Sequence, residues 1–92
     1  MKGDKVYVLY EADQWVSKNS LIAMGIFDER NKAVDQAMVL LIDQIERGLH
    51  DYDDIDSYLK DAHYDIEIYG LFSGSEASVQ IKEVYLNKRY EI

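Results

Sequence analysis

The segment HDYDDIDSYLKD, residues 50–61, holds the densest group of side chains able to do chemistry, with five aspartates in twelve residues. Such a segment fits a metal-binding loop, a surface that imitates nucleic acid, or the start of a helix. A calcium loop of the EF-hand type needs glycine at its sixth position and an acidic ligand at its twelfth. Counted from Asp51, these positions hold Asp56 and Ala62, so the segment is not this calcium motif.

The same segment has the spacing of a helix. An apolar stripe at positions i, i+3, i+4 and i+7 is formed by Ile55, Tyr58, Leu59 and Ala62. Asp53 or Asp54 can cap the amino end, and Asp56 lies in the first turn, where a negative charge is favourable by about 0.3–1 kcal/mol. We therefore predict a short, capped helix that begins near residue 54.

The two histidines, His50 and His63, both have acidic neighbours and could contribute to a metal site. Their thirteen-residue separation matches no established ligand spacing. The chain has no cysteine, no serine nucleophile elbow and no glycine-rich phosphate loop. We expect a protein that is not an enzyme and has no cofactor, with a metal-binding or catalytic domain around His63 as a weaker alternative.

The net charge of −8 is concentrated in one part of the chain. Residues 43–67 contain nine acidic and two basic residues, a net −7. Direct binding to nucleic acid is disfavoured, because that affinity comes from lysine and arginine. An acidic surface instead suits a basic partner.

Length and composition predict one globular domain, residues 1–92. No run approaches the roughly 20 apolar residues of a membrane span. The beginning, MKGDKVYVLYE, lacks the pattern of a signal peptide, and the absence of cysteine fits a reducing compartment. We therefore expect a cytoplasmic location.

The apolar patterns predict an α+β fold with the order β-β-α-α-β-β. We place strands at residues 5–11, 21–27, 64–72 and 79–88 and a long helix at residues 31–47, followed by the short helix. Asp28 or Asn31 can cap the long helix, and Gly48 can end it in a left-handed conformation. Four antiparallel strands would form the sheet, with both helices on one face. Gly25 indicates a bulge or a close approach, and a phase shift in the last strand predicts another bulge near residues 82–83.

A resemblance supports this fold. The stretches VYVLYE, IAMGIF, NKAVDQA and YDIEIYGL resemble short bacterial and phage-encoded proteins that read roughly "vYvL…iGvF…keA…y-Ie-Y-L". The resemblance covers residues 6–42 and 64–71 and implies a fold but no activity. It also implies an origin in a mobile genetic element.

Two positions outside the acidic stretch are candidates for contacts with a partner. Trp15 lies in a polar loop and either folds back over the sheet edge or stands out as an anchor, a role common for tryptophan at interfaces. Val39 and Leu40 lie off the predicted buried stripe of helix 31–47 when measured from Val34, which suggests a homodimer. That stripe is formed by Ala33, Val34, Ala37, Met38, Leu41 and Ile45.

These patterns predict a small acidic accessory protein that binds another protein. Mixed tyrosines and carboxylates make good protein-binding surfaces. The residues predicted to contact the partner are Trp15, Asp51, Tyr52, Asp53, Asp54, Asp56, Tyr58 and Asp61. The alternative is a nucleic-acid mimic that inhibits a DNA- or RNA-binding protein.

Overall fold

The computed structural model describes residues 4–13, 15 and 18–86. In chain order the elements are β1 (Asp4–Asp13), a 3₁₀ helix (Lys18–Ser20), β2 (Ile22–Phe27), α1 (Arg30–Glu46), α2 (Ile55–Tyr69), β3 (Leu71–Ser73) and β4 (Ala77–Leu86). The strands form one sheet of order β2-β1-β4-β3, in which each neighbouring pair is antiparallel. The predicted α+β fold and element order are confirmed, whereas several element boundaries differ. The predicted end of the last strand, residues 87–88, lies outside the described residues.

A bulge interrupts the pairing of β1 with β2, as Gly25 indicated. Leu9 pairs with Gly25 and Tyr10 pairs with Ala23, so Met24 is the extra residue. A Cβ atom on Gly25 would lie 2.9 Å from the ring of Phe27. A larger residue at position 25 would require the Phe27 ring, which folds back over its own strand, to move.

The second predicted bulge is wrong. The register of β1 with β4 runs without a shift from Asp4 opposite Leu86 to Asp13 opposite Ala77. Val79 and Ile81 are buried on the face that contacts the helices, and Val84 pairs with Val6 on the opposite face. The apparent phase shift arises because a central strand accepts apolar side chains on both faces.

Helix α1 ends as predicted, with Gly48 in the left-handed conformation at φ 80°. Its N-cap is Glu29 rather than Asp28 or Asn31. Its buried residues are Ala33, Val34, Ala37, Leu40, Leu41 and Gln44. Leu40 is only 8% exposed, which corrects its predicted exposure. The buried residues of α1 are centred near Ala37, and Leu40 lies only about 60° around the helix from that centre. Val34 lies at the edge of the buried arc, so an angle measured from Val34 places Leu40 too far from the buried side.

The predicted strand at residues 64–72 is wrong over most of its length. Helix α2 continues to Tyr69 and has 15 residues, close to the 17 of α1, and only Leu71–Ser73 is extended. The apolar stripe of α2 continues through Ala62 to Ile66, and both residues are fully buried. Gly70, at φ 71°, then ends the helix. Burial of residues four positions apart, such as Ala62 and Ile66, favours the helix more than the alternation of apolar and polar residues favours a strand. Strand propensity is weak and depends on context.

The amino end of α2 is as predicted. Asp54 is the N-cap and Asp56 lies in the first turn. The Asp54 carboxylate accepts a hydrogen bond of 2.9 Å from the Ser57 hydroxyl. The helix thus begins at the acidic stretch.

The core lies between one face of the sheet and the two helices. Helix α1 contacts β1, β4 and β2, whereas α2 contacts β3, β4 and α1. The core cluster includes Leu9, Ala33, Val34, Ala37, Leu40, Ile66, Val79 and Ile81. In the part of the chain that is described, no helix is long and apolar enough to cross a membrane.

Candidate functional site

The acidic segment, residues 51–56, crosses from the end of α1 to the start of α2. Its Asp51, Tyr52, Asp53, Asp54 and Asp56 are exposed, as is Asp61 on α2, whereas Tyr58 is partly buried. Among the described residues, none of these five aspartates is in an ion pair with a lysine or arginine. The segment therefore presents negative charge that the described protein does not neutralise.

The residue before this segment, His50, is buried and only 5% exposed. Its Nδ1 lies 2.6 Å from the hydroxyl of Tyr58, and its Nε2 lies 2.7 Å from Oε1 of Gln44. The backbone N–H of Asp51 donates to the Ser75 hydroxyl at 3.1 Å. These contacts fix the start of the acidic segment against α1, α2 and the turn between β3 and β4.

The hydrogen bonds of Gln44 determine the proton positions on His50. The Nε2 of Gln44 donates to the Glu11 carboxylate at 3.0 Å and to the Ser78 carbonyl at 3.2 Å. Its Oε1 therefore faces His50 and must accept a hydrogen bond from Nε2–H of the imidazole. The Nδ1 of a neutral His50 then accepts from the Tyr58 hydroxyl. Burial lowers the pKa of His50, which favours this neutral form.

Arg47 completes the network at its other end. Its guanidinium forms ion pairs with Glu11 and with Asp43, the latter at 2.9 Å. Burial of Glu11 opposes its ionisation, but hydrogen bonds from Gln44 and Arg47 and the positive charge of Arg47 together lower the pKa of Glu11. The chain Arg47–Glu11–Gln44–His50–Tyr58, here called the polar network, joins β1, α1 and α2 to the loop that contains His50.

Aromatic rings surround the network. The rings of His50 and Phe72 stack with centroids 6.2 Å apart, and Tyr58 meets Phe72 edge-on at 5.3 Å. The ring of the exposed Tyr52 lies 5.6 Å from that of Tyr58. Burial, with the nearby Asp51 carboxylate, raises the pKa of Tyr58. The Tyr58 hydroxyl thus stays protonated as a hydrogen-bond donor, which suits a structural role rather than a nucleophilic one.

Gly74 makes room for the imidazole of His50. A Cβ atom at position 74 would lie 1.8 Å from Nδ1 of His50. No side chain fits there while His50 keeps its position. The close approach of the turn to His50 thus depends on glycine.

The histidines do not assemble the metal site considered from the sequence. Both ring nitrogens of His50 are already hydrogen-bonded within the polar network. His63 is exposed on α2, with Nδ1 3.9 Å from a Glu67 carboxylate oxygen. Over the described ranges, no group of three or more His, Cys, Asp or Glu side chains could hold a metal ion.

Trp15 is 75% exposed, so it does not cover the core. Its backbone N–H donates to the Asp13 carboxylate at 3.0 Å. The Asp13 carbonyl in turn accepts from the Ser78 hydroxyl at 2.8 Å, beside the turn of residues 74–76. The tertiary structure therefore brings Trp15 to the end of the sheet that also holds the acidic segment.

The outer side of α2 adds exposed residues that the sequence interpretation missed. Tyr64 and Ile68 are exposed one turn apart, and Asp61 precedes Tyr64 by three residues. All three lie on one face of a helix. The predicted strand at residues 64–72 puts Tyr64 and Ile68 on the same side as the buried Ile66. It therefore does not predict this exposed face.

The polar network was also missed, although Gln44 carried a signal. It occupies a buried position on the stripe of α1, one helical turn beyond Leu40 and Leu41. A buried amide needs hydrogen-bond partners, which indicates a polar site within the core. The partners of Gln44 come from distant parts of the chain, so sequence spacing could not name them.

The structure brings Trp15 to the same end as Asp51, Tyr52, Asp53, Asp54 and Asp56, and places Asp61 farther along α2. Tyr58 packs beneath Tyr52 and holds His50. Comparison with known proteins found no matching family, no significantly similar curated protein and no significantly similar solved structure, so the function must be inferred from the chain's own chemistry.

Proposed function

We propose that the protein is a small, non-enzymatic accessory protein that binds a partner protein with a basic surface. Its binding surface, here called the acidic end, consists of Trp15, Asp51, Tyr52, Asp53, Asp54 and Asp56. The observation that carries the proposal is the exposure of this group, whose aspartates have no ion pair within the described residues.

The negative charge of the acidic end determines which partner proteins it prefers. Carboxylates without a cation of their own can attract lysine and arginine of a partner, which accelerates association and selects against acidic partners. Direct binding of a nucleic acid is disfavoured by the same charge.

Exposed aromatic side chains supply contact area. Trp15 and Tyr52 are exposed at this end, and both residue types are enriched among those that dominate binding energy. Asp61 and Tyr64 extend the surface along α2. A mixed carboxylate and aromatic surface is therefore better suited to a protein partner than to a small charged ligand.

The polar network supports binding by holding the segment in place. His50 and the Asp51 backbone are anchored in the folded state. A segment that is already ordered loses less conformational entropy on binding than a free loop. Substitution of network residues should thus weaken binding indirectly.

The test is affinity isolation of a partner from lysate of the source organism, with the tagged wild-type protein and two double variants. Asp51→Asn/Asp53→Asn removes two charges from the acidic end. The control, Asp35→Asn/Glu67→Gln, makes the same change in charge at exposed positions elsewhere. Trp15→Ala tests the aromatic contact separately.

A partner that is lost with Asp51→Asn/Asp53→Asn but kept with the control supports the proposal. Equal retention by both double variants would overturn it and leave Asp53, Asp54 and Asp56 as the start of α2. A partner that binds nucleic acid, is released at moderate salt and is displaced by DNA would instead identify the protein as a nucleic-acid mimic.

A further inference from the structure

Strand β2 (Ile22–Phe27) lies at one edge of the sheet. It pairs with β1 on one side, and no other described strand pairs with it. Its sequence, IAMGIF, contains no charged residue and no proline. The bulge at Met24 is thus present, but the charged side chains and prolines that commonly prevent an edge strand from pairing with another strand are not.

The side chains of this strand are apolar and exposed. Ile22, Met24 and Ile26 are all accessible, and Ile26 is 67% exposed. On the neighbouring helix, Val39 is also exposed, as predicted from the sequence. Several apolar side chains thus surround a backbone edge with which no other described strand pairs.

A groove of about 310 Å³ lies between α1 and β2. It is lined by Leu9, Met24, Phe27, Gln36, Val39, Leu40 and Asp43. Helix α2 contacts β3 and β4 but not β2, so it leaves this side of the sheet open. The groove and this edge are here together called the β2 surface, which is mostly apolar, with Gln36 and Asp43 as the polar groove residues.

We infer that the β2 surface binds a second copy of this chain by antiparallel pairing of two β2 strands across a two-fold axis. Such an interface uses the same patch on both copies, so each exposed apolar residue is buried twice. The two sheets would join into one sheet of eight strands, with the grooves and Val39 side chains beside the junction.

The distribution of charge favours a second copy as the occupant. Residues 51–67 contain seven acidic residues and one lysine, a net −6, and include α2, which packs over β3 and β4 at the other side of the sheet. Two copies that meet through the uncharged strand β2 keep these residues apart, and Asp43, which lines the groove, is already in an ion pair with Arg47. Like-charge repulsion falls with distance and is screened beyond a Debye length of about 8 Å at physiological salt.

The first experiment measures molar mass by sedimentation equilibrium at chain concentrations from about 1 μM to about 1 mM. We expect a dimer at the upper end of this range for the wild type. Ile26→Lys should raise the dissociation constant at least about 100-fold, because an edge lysine opposes strand pairing and the lost contact is counted twice. A wild type that stays monomeric throughout would overturn the inference.

Ile68→Lys is the matched control, since Ile68 is also an exposed isoleucine (55%) but lies on α2. We expect this variant to dimerise like the wild type. Thermal unfolding of both variants shows that they are folded. Equal loss of the dimer in both would contradict an interface at β2.

Crosslinking tests the location directly, because the chain contains no cysteine. Ala23 is exposed and pairs with Tyr10 on the face of the sheet opposite the helices. Ala23→Cys should form a disulfide-linked dimer under mild oxidation, whereas Ser57→Cys, exposed on α2, should not. Crosslinking of Ser57→Cys alone would overturn the assignment to β2.

This inference is independent of the proposed function. Asp51→Asn/Asp53→Asn removes charges at the acidic end and should leave the dissociation constant of the dimer unchanged within about two-fold. Partner binding and dimerisation can therefore fail separately in these experiments.

Discussion

The hydroxyl of Tyr58 lies 2.6 Å from Nδ1 of His50 and donates the hydrogen bond that ties α2 to the loop preceding the acidic segment. Because Nε2–H of His50 is directed to Gln44, Tyr58 supplies the partner for the second ring nitrogen. The position of the acidic segment therefore depends on the side chain of Tyr58, eight residues after His50.

Tyr58→Phe removes this hydroxyl and keeps the ring that packs on Phe72. We expect the free energy of unfolding to fall by about 1–3 kcal/mol, since a buried acceptor on His50 loses its donor. Urea unfolding measures the change. The control is Tyr64→Phe, at an exposed position, which should change stability by less than about 0.5 kcal/mol. Equal effects of the two substitutions would contradict the role of Tyr58.

Gly74→Ala should displace the imidazole of His50, because the new methyl group would lie 1.8 Å from Nδ1. We expect a loss of about 1–3 kcal/mol in the free energy of unfolding, typical of overpacking. A double-mutant cycle with His50→Ala identifies the cause. Once the imidazole is absent, the same glycine substitution should have little further effect; an undiminished loss would point to the backbone instead.

Ile66→Ala and Ile68→Ala distinguish a helix from a strand over residues 64–69. Ile66 is fully buried and Ile68 is 55% exposed. In the helix, we expect Ile66→Ala to lower the free energy of unfolding by about 2–5 kcal/mol and Ile68→Ala by less than about 0.5 kcal/mol. A strand would place both residues on one face, so comparable losses in chemical denaturation would contradict α2 as described.

Stability should decrease as the pH falls through the ordinary pKa of histidine, about 6.5. Burial lowers the pKa of His50 in the folded state, so just below this pH the unfolded chain binds a proton that the folded chain does not. The free energy of unfolding then falls by up to about 1.4 kcal/mol per pH unit and levels off below the folded-state pKa.

Denaturant unfolding between about pH 7.5 and pH 5 measures this dependence. In His50→Gln the decrease that begins near pH 6.5 should be removed, because the titrating group is absent. Persistence of the same slope in this variant would assign the pH dependence to other groups.

Local patterns were sufficient for the fold class and for much of the element order. Strand β1 contains a run of β-branched and aromatic residues, helix α1 contains apolar residues at helical spacing, and Gly48 marks the end of α1 as expected. The irregularity at Gly25 also followed from one residue type. These features depend on neighbours within a few positions, so the order of residues along the chain already specifies them.

The boundary between α2 and β3 could not be obtained in this way. Residues 64–69 satisfy both the alternation of a strand and the continued stripe of a helix. Burial of Ile66 against the core resolved the choice, and this burial requires α1 and the sheet to be in place. The burial of Leu40 likewise depends on how α1 is rotated against the sheet.

The sequence alone identified the acidic segment by its composition, but the residues that surround it are determined by tertiary packing. Its exposure, the position of Trp15 at the same end of the sheet and the polar network depend on contacts between residues up to 65 positions apart, such as Asp13 and Ser78. Hydrogen bonds between such distant groups have no signature in local spacing. They form because the antiparallel pairing of β1 with β4 and the packing of both helices bring the groups together. The folded chain also excludes water, which in the unfolded chain competes for these hydrogen bonds.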